Sequence, residues 1–474
     1  MSAAGPPQGA RTAGEAAGTP VSTAGPDQAF ESWLDTQLGH CVRGMLASIS
    51  PLAIARHRPG FGHTVRPIAG AIVASPVLGS WDPDPDYFFH WFRDSAVVID
   101  ALRLLHLDRH IGDEALQHLR DFTRFSLELN LLDGRALAAL PGRRARVAPD
   151  MLQYLREDDE LARVHGDAVV AETRVNPDGT LDIQRWARPQ HDGPPLRALA
   201  LLRWVASGRL DPALLEQVSA LIRFDLAFTL RHWREPSYDI WEEESGHHYY
   251  TLRVSAAALA EGAAWLQGMG ETAQAQHCRE ASQAVLGMLD GFGVDEGTQA
   301  YYRSRVLADG RPSAKALDIA VILSAIHSLA TDGQHGVADP RMQATLARLD
   351  ALFDAEYPIN HGRAAGRGPA MGRYAGDVYC SGGAYYFSTL GAAEFCFRTA
   401  ATAGGAASPW FARGDAYLAT VRAYTPANGA LSEQFDQTSG AQTSAKHLAW
   451  SYAAFISCVR ARRIAAAGQK LQGT

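Results

Sequence analysis

The 474 residues contain no Cys-x-x-Cys pair, no run of eighteen apolar residues and no Asn-x-Ser/Thr sequon. Five scattered cysteines, Cys41, Cys278, Cys380, Cys396 and Cys458, read as reduced thiols rather than as a zinc or redox site. Without a long apolar run nothing spans a bilayer as a helix, and residues 1–27, rich in Gly, Ala, Pro, Ser and Thr, lack the apolar centre of a secretory signal. The reading is a cytoplasmic monomer with a disordered head over 1–27, one domain over 28–465 and a tail over 466–474. A concentrated basic face is missing as well. With a net charge of -7 and both signs interspersed, nucleic acid is not an expected partner. No Walker loop, Gly-x-Gly-x-x-Gly turn, Gly-x-Ser-x-Gly elbow or His-Glu-x-x-His pair occurs, which removes the commonest nucleotide, α/β-hydrolase and zinc-peptidase chemistries.

What is present is apolar material, 47% of the chain against 20% charged, enough for a large core. Strand-like alternation is sparse, and apolar residues recur at helical spacing. The clearest stripe is Leu214, Leu215, Val218, Leu221, Ile222 and Leu226, preceded by Asp211 as a cap and Pro212 at the first helical position. Twelve helices are expected, at 28–50, 90–107, 112–130, 193–207, 211–233, 251–268, 271–289, 313–330, 340–356, 383–400, 407–423 and 442–463. Short and long connections alternate between them. That pattern predicts an all-α fold of six antiparallel hairpins closed into an (α/α)6 toroid, with the long loops gathered at one end.

Those loops hold the chemically unusual residues. Aromatics and charged groups alternate in Tyr87 to Asp94, Trp186 to Gln190, Asp239 to Glu244, Gly372 to Tyr374 and Ser432 to Phe435. Sugar rings offer CH faces to aromatic planes and hydroxyls to carboxylates and guanidinium groups, so the composition suits a carbohydrate pocket. Each feature has a plainer reading. An acidic triplet such as Glu242-Glu243-Glu244 is usually a solvated face, buried tryptophans are usually core, and Arg93-Asp94 can be an ion pair at a helix start. Recurrence in loops expected at one end favours a site. Asp82, Asp84 and Asp86 imitate the start of a calcium loop, but Tyr87 stands where its glycine is needed and Arg93 where its bidentate glutamate would be. His247-His248, neighbours on one loop, do not converge on one ion.

Five ordered motifs then carry a resemblance to the glucoamylase family, glycoside hydrolase family 15. They are Pro85-Asp86-Tyr87-Phe88-Phe89 leading to Trp91 and Arg93-Asp94-Ser95; Trp186 with Arg188-Pro189-Gln190 and Asp192-Gly193-Pro194; Tyr238-Asp239 with Trp241-Glu242-Glu243; Gly372-Arg373-Tyr374 with Asp377; and Leu431-Ser432-Glu433-Gln434-Phe435 followed by Trp450-Ser451-Tyr452. The family's catalytic domain is an (α/α)6 barrel. The resemblance implies an inverting exo-hydrolase that releases glucose from non-reducing ends of α-linked oligosaccharides or polysaccharides and requires no metal or other cofactor.

By the same resemblance Glu242 would be the general acid and Glu433 the general base. Inversion needs such a pair about 6.5–9.5 Å apart. Arg93 and Asp94 would grip hydroxyls of the terminal glucose, Tyr87 would sit beside the base, and Trp91, Trp186 and Trp450 would wall the pocket. Glu243 and Arg373 would meet the leaving-group sugar, and Asp239 would support the acid. Burial beside Trp241 and the charges of Asp239 and Glu243 are expected to keep the acid's proton in place. The chain departs from fungal members at Glu244-Ser245-Gly246-His247, at Gly376 and at Gly382 to Tyr386, all on loops that shape leaving-group recognition. A preference for di- or trisaccharides is expected, with isomaltose, dextran-type glucans and trehalose as rival substrates. A non-catalytic carbohydrate-binding toroid is the remote alternative.

Overall fold

A computed structural model describes residues 26–79, 84–296, 299–330 and 333–468. Most of the expected head and tail lies outside them, and the described chain opens directly on a helix. Twelve long helices carry the fold: α1 (Pro26–Leu46), α2 (Phe92–Leu107), α3 (Glu114–Leu129), α4 (Gly193–Ala206), α5 (Pro212–His232) and α6 (Tyr249–Gly268), followed by α7 (Thr272–Asp290), α8 (Ala320–His327), α9 (Pro340–Glu356), α10 (Tyr386–Thr402), α11 (Pro409–Tyr424) and α12 (Ala449–Ala466).

The even-numbered helices form a closed ring. Going round, α2 touches α4, α4 touches α6, α6 touches α8, α8 touches α10, α10 touches α12, and α12 returns to α2. The odd-numbered helices pack outside, α7 on α6 and α11 on α10 for example. This is the (α/α)6 toroid. The two layers differ in composition for a physical reason. An inner helix is covered on every side, and in α10 every residue from Tyr386 to Ala400 is buried. An outer helix buries one stripe, as α5 does with Leu214, Val218, Leu221, Ile222 and Leu226. Inner helices also need small residues where they cross. A Cβ on Gly391 of α10 would lie 2.5 Å from Leu323 Cδ2 of α8, so a side chain there displaces Leu323 from its packed position.

Caps fix the helix starts. The Asp211 carboxylate accepts from Leu214 N at 3.0 Å with Pro212 at the first position, as expected. Two expected starts are late in the structure. The helix expected at 313 begins at Ala320, because Asp318 uses one oxygen to accept from Ala320 N at 2.8 Å and the other to pair with Arg305. The helix expected at 442 begins at Ala449, because Gln442–Thr443 pair with Gln434–Phe435 as a short antiparallel ladder. Such ladders of two to four residues recur in the long loops. They pin those loops over the ring rather than form a sheet layer.

Candidate active site

The residues singled out in the sequence converge where the even helices begin. Arg93 and Asp94 stand in the first turn of α2, Asp192 caps α4, Phe387 opens α10 and Trp450 opens α12. The positive ends of these helix dipoles therefore face the carboxylates gathered there. One small cavity at this end is lined by Tyr87, Trp91, Arg93, Asp94, Trp241, Glu242, Arg373, Glu433 and Trp450, together with Ala74, Ile240, Phe387 and Leu448. Trp186, Asp239 and Glu243 stand one layer back. Gly193, at the start of α4, is needed for the approach, since a Cβ would come 2.6 Å from Phe92 Cβ.

Glu242 is delivered by a hairpin. Ser237–Tyr238 pair with Ser245–Gly246, and the intervening turn is organised by Asp239, whose Oδ1 accepts from Glu243 N and Glu244 N, each at 2.8 Å. The turn holds Glu242 at φ 66, a left-handed conformation uncommon for a non-glycine residue. That backbone strain aims its side chain into the cavity. Trp91 Nε1 donates to Oε1 at 2.9 Å, Arg93 Nη2 donates to the same oxygen at 3.1 Å, and Trp186 Nε1 donates to Oε2.

Asp239 and Glu243 do not act on Glu242 as bare negative neighbours, as the sequence reading expected. Asp239 pairs with Arg305 at 3.3 Å and carries the turn's N–H bonds; although burial opposes it, Arg305 and those donors hold its carboxyl below the ordinary range. Glu243 is saturated by Arg373 at 3.0 Å, Tyr374 at 2.5 Å and Lys315 at 2.6 Å. Trp241 turns its N–H away, to Asp318 at 2.9 Å.

Glu433 has a different environment. Ser444 Oγ donates to its Oε2 and Tyr87 Oη to its Oε1 at 3.4 Å, and among the described residues no cation pairs directly with it. Burial pushes the carboxyl up to about 7, while Ser444, Arg373 and Tyr87 oppose the rise. Its loop is anchored behind the cavity by Gln434, which donates to Tyr385 Oη at 2.7 Å; Tyr385 donates to Asp377 at 3.2 Å, and Asp377 receives Arg373 at 2.7 Å. Ser444, Asp318, Lys315 and Tyr379 complete the site and were not singled out in the sequence, where no motif marks them.

Two polar groups in the cavity wall lack a hydrogen-bond partner among the described residues, Arg93 Nε and Asp94 Oδ2, the latter held only by its ion pair with Arg93 Nη2 at 3.3 Å. A donor and an acceptor side by side in a dry wall match adjacent sugar hydroxyls. Among the described residues no His, Cys, Asp and Glu cluster has the arrangement of a metal site.

A closed ring of paired helices with two unlike carboxylates at the mouth defines an (α/α)6 glycoside hydrolase. The sequence profile of Glycosyl hydrolases family 15 matches residues 60–127 and 171–460. The chain belongs to that family. Glucoamylase of Neurospora crassa is 27% identical over 440 residues, covering 83% of this chain and 63% of that protein. A probable glucoamylase of Schizosaccharomyces pombe is 28% identical over 485 residues, covering 92% of each. The solved glucoamylase of Hormoconis resinae superimposes with a TM-score of 0.72 at 26% identity, over 91% of this chain and 73% of the other. The chain thus spans under two thirds of the Neurospora protein and nearly all of the Schizosaccharomyces one.

The unusual position of Glu433 yields a pH prediction. In the role of base that the family resemblance implies, Glu433 must be ionised to accept a proton, so kcat/KM of the free enzyme should fall as pH drops through about 7. Ser444 favours the ionised form, and Ser444→Ala should move this acid limb to higher pH. A pH profile of kcat/KM for both proteins checks the direction.

Proposed function

We propose that this chain hydrolyses α-glucosidic bonds at non-reducing ends of α-gluco-oligosaccharides or glucans with inversion, releasing β-D-glucose. The observation that carries the reading is one cavity holding two carboxylates with different partners, Glu242 on three N–H donors and Glu433 on the hydroxyls of Ser444 and Tyr87; the family resemblance makes Glu242 the acid and Glu433 the base. The terminal sugar sits against Arg93 and Asp94, whose Nε and Oδ2, both without a hydrogen-bond partner among the described residues, take its hydroxyls. Glu242, protonated, gives its proton to the glycosidic oxygen as the bond to the anomeric carbon breaks. Glu433 removes a proton from water as the water oxygen bonds that carbon from the opposite face. Trp91, Trp186 and Arg93 stabilise the carboxylate that Glu242 becomes, so the acid's own partners assist bond cleavage.

Proton NMR recorded in the first minutes of maltose hydrolysis should show β-glucose before α-glucose. Initial α-glucose would contradict inversion.

The preference for short substrates rests on the leaving-group side. There Glu243 already has three protein donors, leaving Arg373, Tyr374 and Lys315 as a preformed cluster. Buried polar groups in a preformed site reject analogues that leave them unpaired. The specificity constant is expected to peak on di- or trisaccharides across maltose, isomaltose, trehalose and maltoheptaose, and a steady climb with chain length would overturn this.

A further inference from the structure

Behind the indole of Trp186 lies a stack with no part in the proton transfers. The Arg58 guanidinium carbon is 3.9 Å from the centroid of Phe89, and the Arg174 carbon is 4.0 Å from the same ring. Two cations this close to one ring must occupy opposite faces. Arg174 also lies 3.7 Å from Trp186 and 5.0 Å from Trp91. The layers therefore run Arg58, Phe89, Arg174, Trp186.

Arg174 is fully buried. Its Nε donates to Asp182 at 2.9 Å, but Nη1 and Nη2 have no hydrogen-bond partner. Leaving two guanidinium nitrogens dry and unpaired is costly, and here the faces of the rings supply the compensation. The placement is built into the backbone: His90–Trp91 pair antiparallel with Arg174–Val175, with Trp91 directly opposite Arg174. Both indoles that Arg174 touches donate to Glu242, one to each oxygen.

We propose that Arg174 is a positioning residue for the acid, clamping Trp91 and Trp186 so that their N–H groups meet both oxygens of Glu242. A cation over an indole draws electron density from the ring and strengthens its N–H as a donor. The clamp thereby stabilises the carboxylate that forms when the proton leaves. This rests on the assignment of Glu242 as the acid. The other charged or titratable groups facing Glu242 are Arg93 and Asp94 from α2, Asp192 from the start of α4, and Tyr87. Glu433 lines the same cavity. A substitution at 174 leaves all of these in place.

Arg174→Met keeps the stem and removes the charge, and Asp182 retains Arg188 at 3.1 Å, so no carboxylate is stranded. The expected result is a fall in maltose kcat of about ten- to a hundredfold with little change in KM. The alkaline limb of kcat/KM should also move to higher pH, because the carboxylate loses support. Arg174→Lys, charged but unable to stack as a plane, should recover part of the limb and little of kcat. An unmoved limb, with both variants losing activity only in proportion to folded protein, would make Arg174 structural and overturn the inference. If Arg174→Met does not fold, Phe89→Leu removes the neighbouring layer and must shift the limb in the same direction, or the inference fails. Wild-type hydrolysis of maltose is measured alongside: an inactive wild type refutes the functional reading itself. In that case a pH titration of tryptophan fluorescence in wild type and Arg174→Met decides the clamp, an identical titration overturning it.

Discussion

Glu433→Gln should lower kcat by about 10²–10⁴-fold while leaving the folded protein intact. The amide keeps the shape; its oxygen accepts from one of the two hydroxyls that meet the carboxylate, Ser444 or Tyr87, and its NH2 donates to the other. It cannot take a proton from water. The loss should be equally large on substrates with good and poor leaving groups, because every one of them needs the activated water. Steady-state kinetics on maltose and on α-glucosyl fluoride, with circular dichroism as the control for folding, check this. Activity within tenfold of wild type would remove Glu433 as the base.

Glu242→Gln should cost as much on maltose but much less on α-glucosyl fluoride, because fluoride departs without needing a proton. This substitution leaves Arg93 paired with Asp94 and Asp192, each at 3.3 Å, so no buried cation is stranded and folding should survive. The two variants together assign the roles: the acid variant is rescued by a better leaving group and the base variant is not. Equal losses on both substrates in both variants would break the assignment.

Much of the fold is legible along the chain, for identifiable reasons. The outer helices announce themselves by single apolar stripes, as in α5, and by caps such as Asp211. The inner helices are apolar nearly all round, so periodicity gives their presence but not the order in which they close the ring. Errors at the starts of α8 and α12 have one cause. Asp318 and the Gln442–Thr443 segment make loop contacts that outcompete helix propensity, and their partners Arg305 and Gln434–Phe435 lie beyond the i to i+4 reach of a helical pattern.

The site divides similarly. Motif residues such as Arg93, Asp94, Glu242 and Glu433 stand out because charged groups in aromatic loops are unusual. Ser444, Lys315 and Arg174 carry no such mark; a serine, a lysine and an arginine acquire meaning only once folding sets them against Glu433, Glu243 and Trp186. The partners of Asp239 and Glu243 were hidden for the same reason. Their charges are met by Arg305, Arg373 and Lys315, cations that adjacency in sequence does not reveal.

The ring closes through α12, which packs on both α2 and α10, and the last lining residue, Trp450, opens that helix. As the chain leaves the ribosome, Arg93 and Glu242 emerge well before Glu433 and the final wall at Trp450. A nascent or truncated chain that ends before α12 therefore holds the acid without a closed pocket.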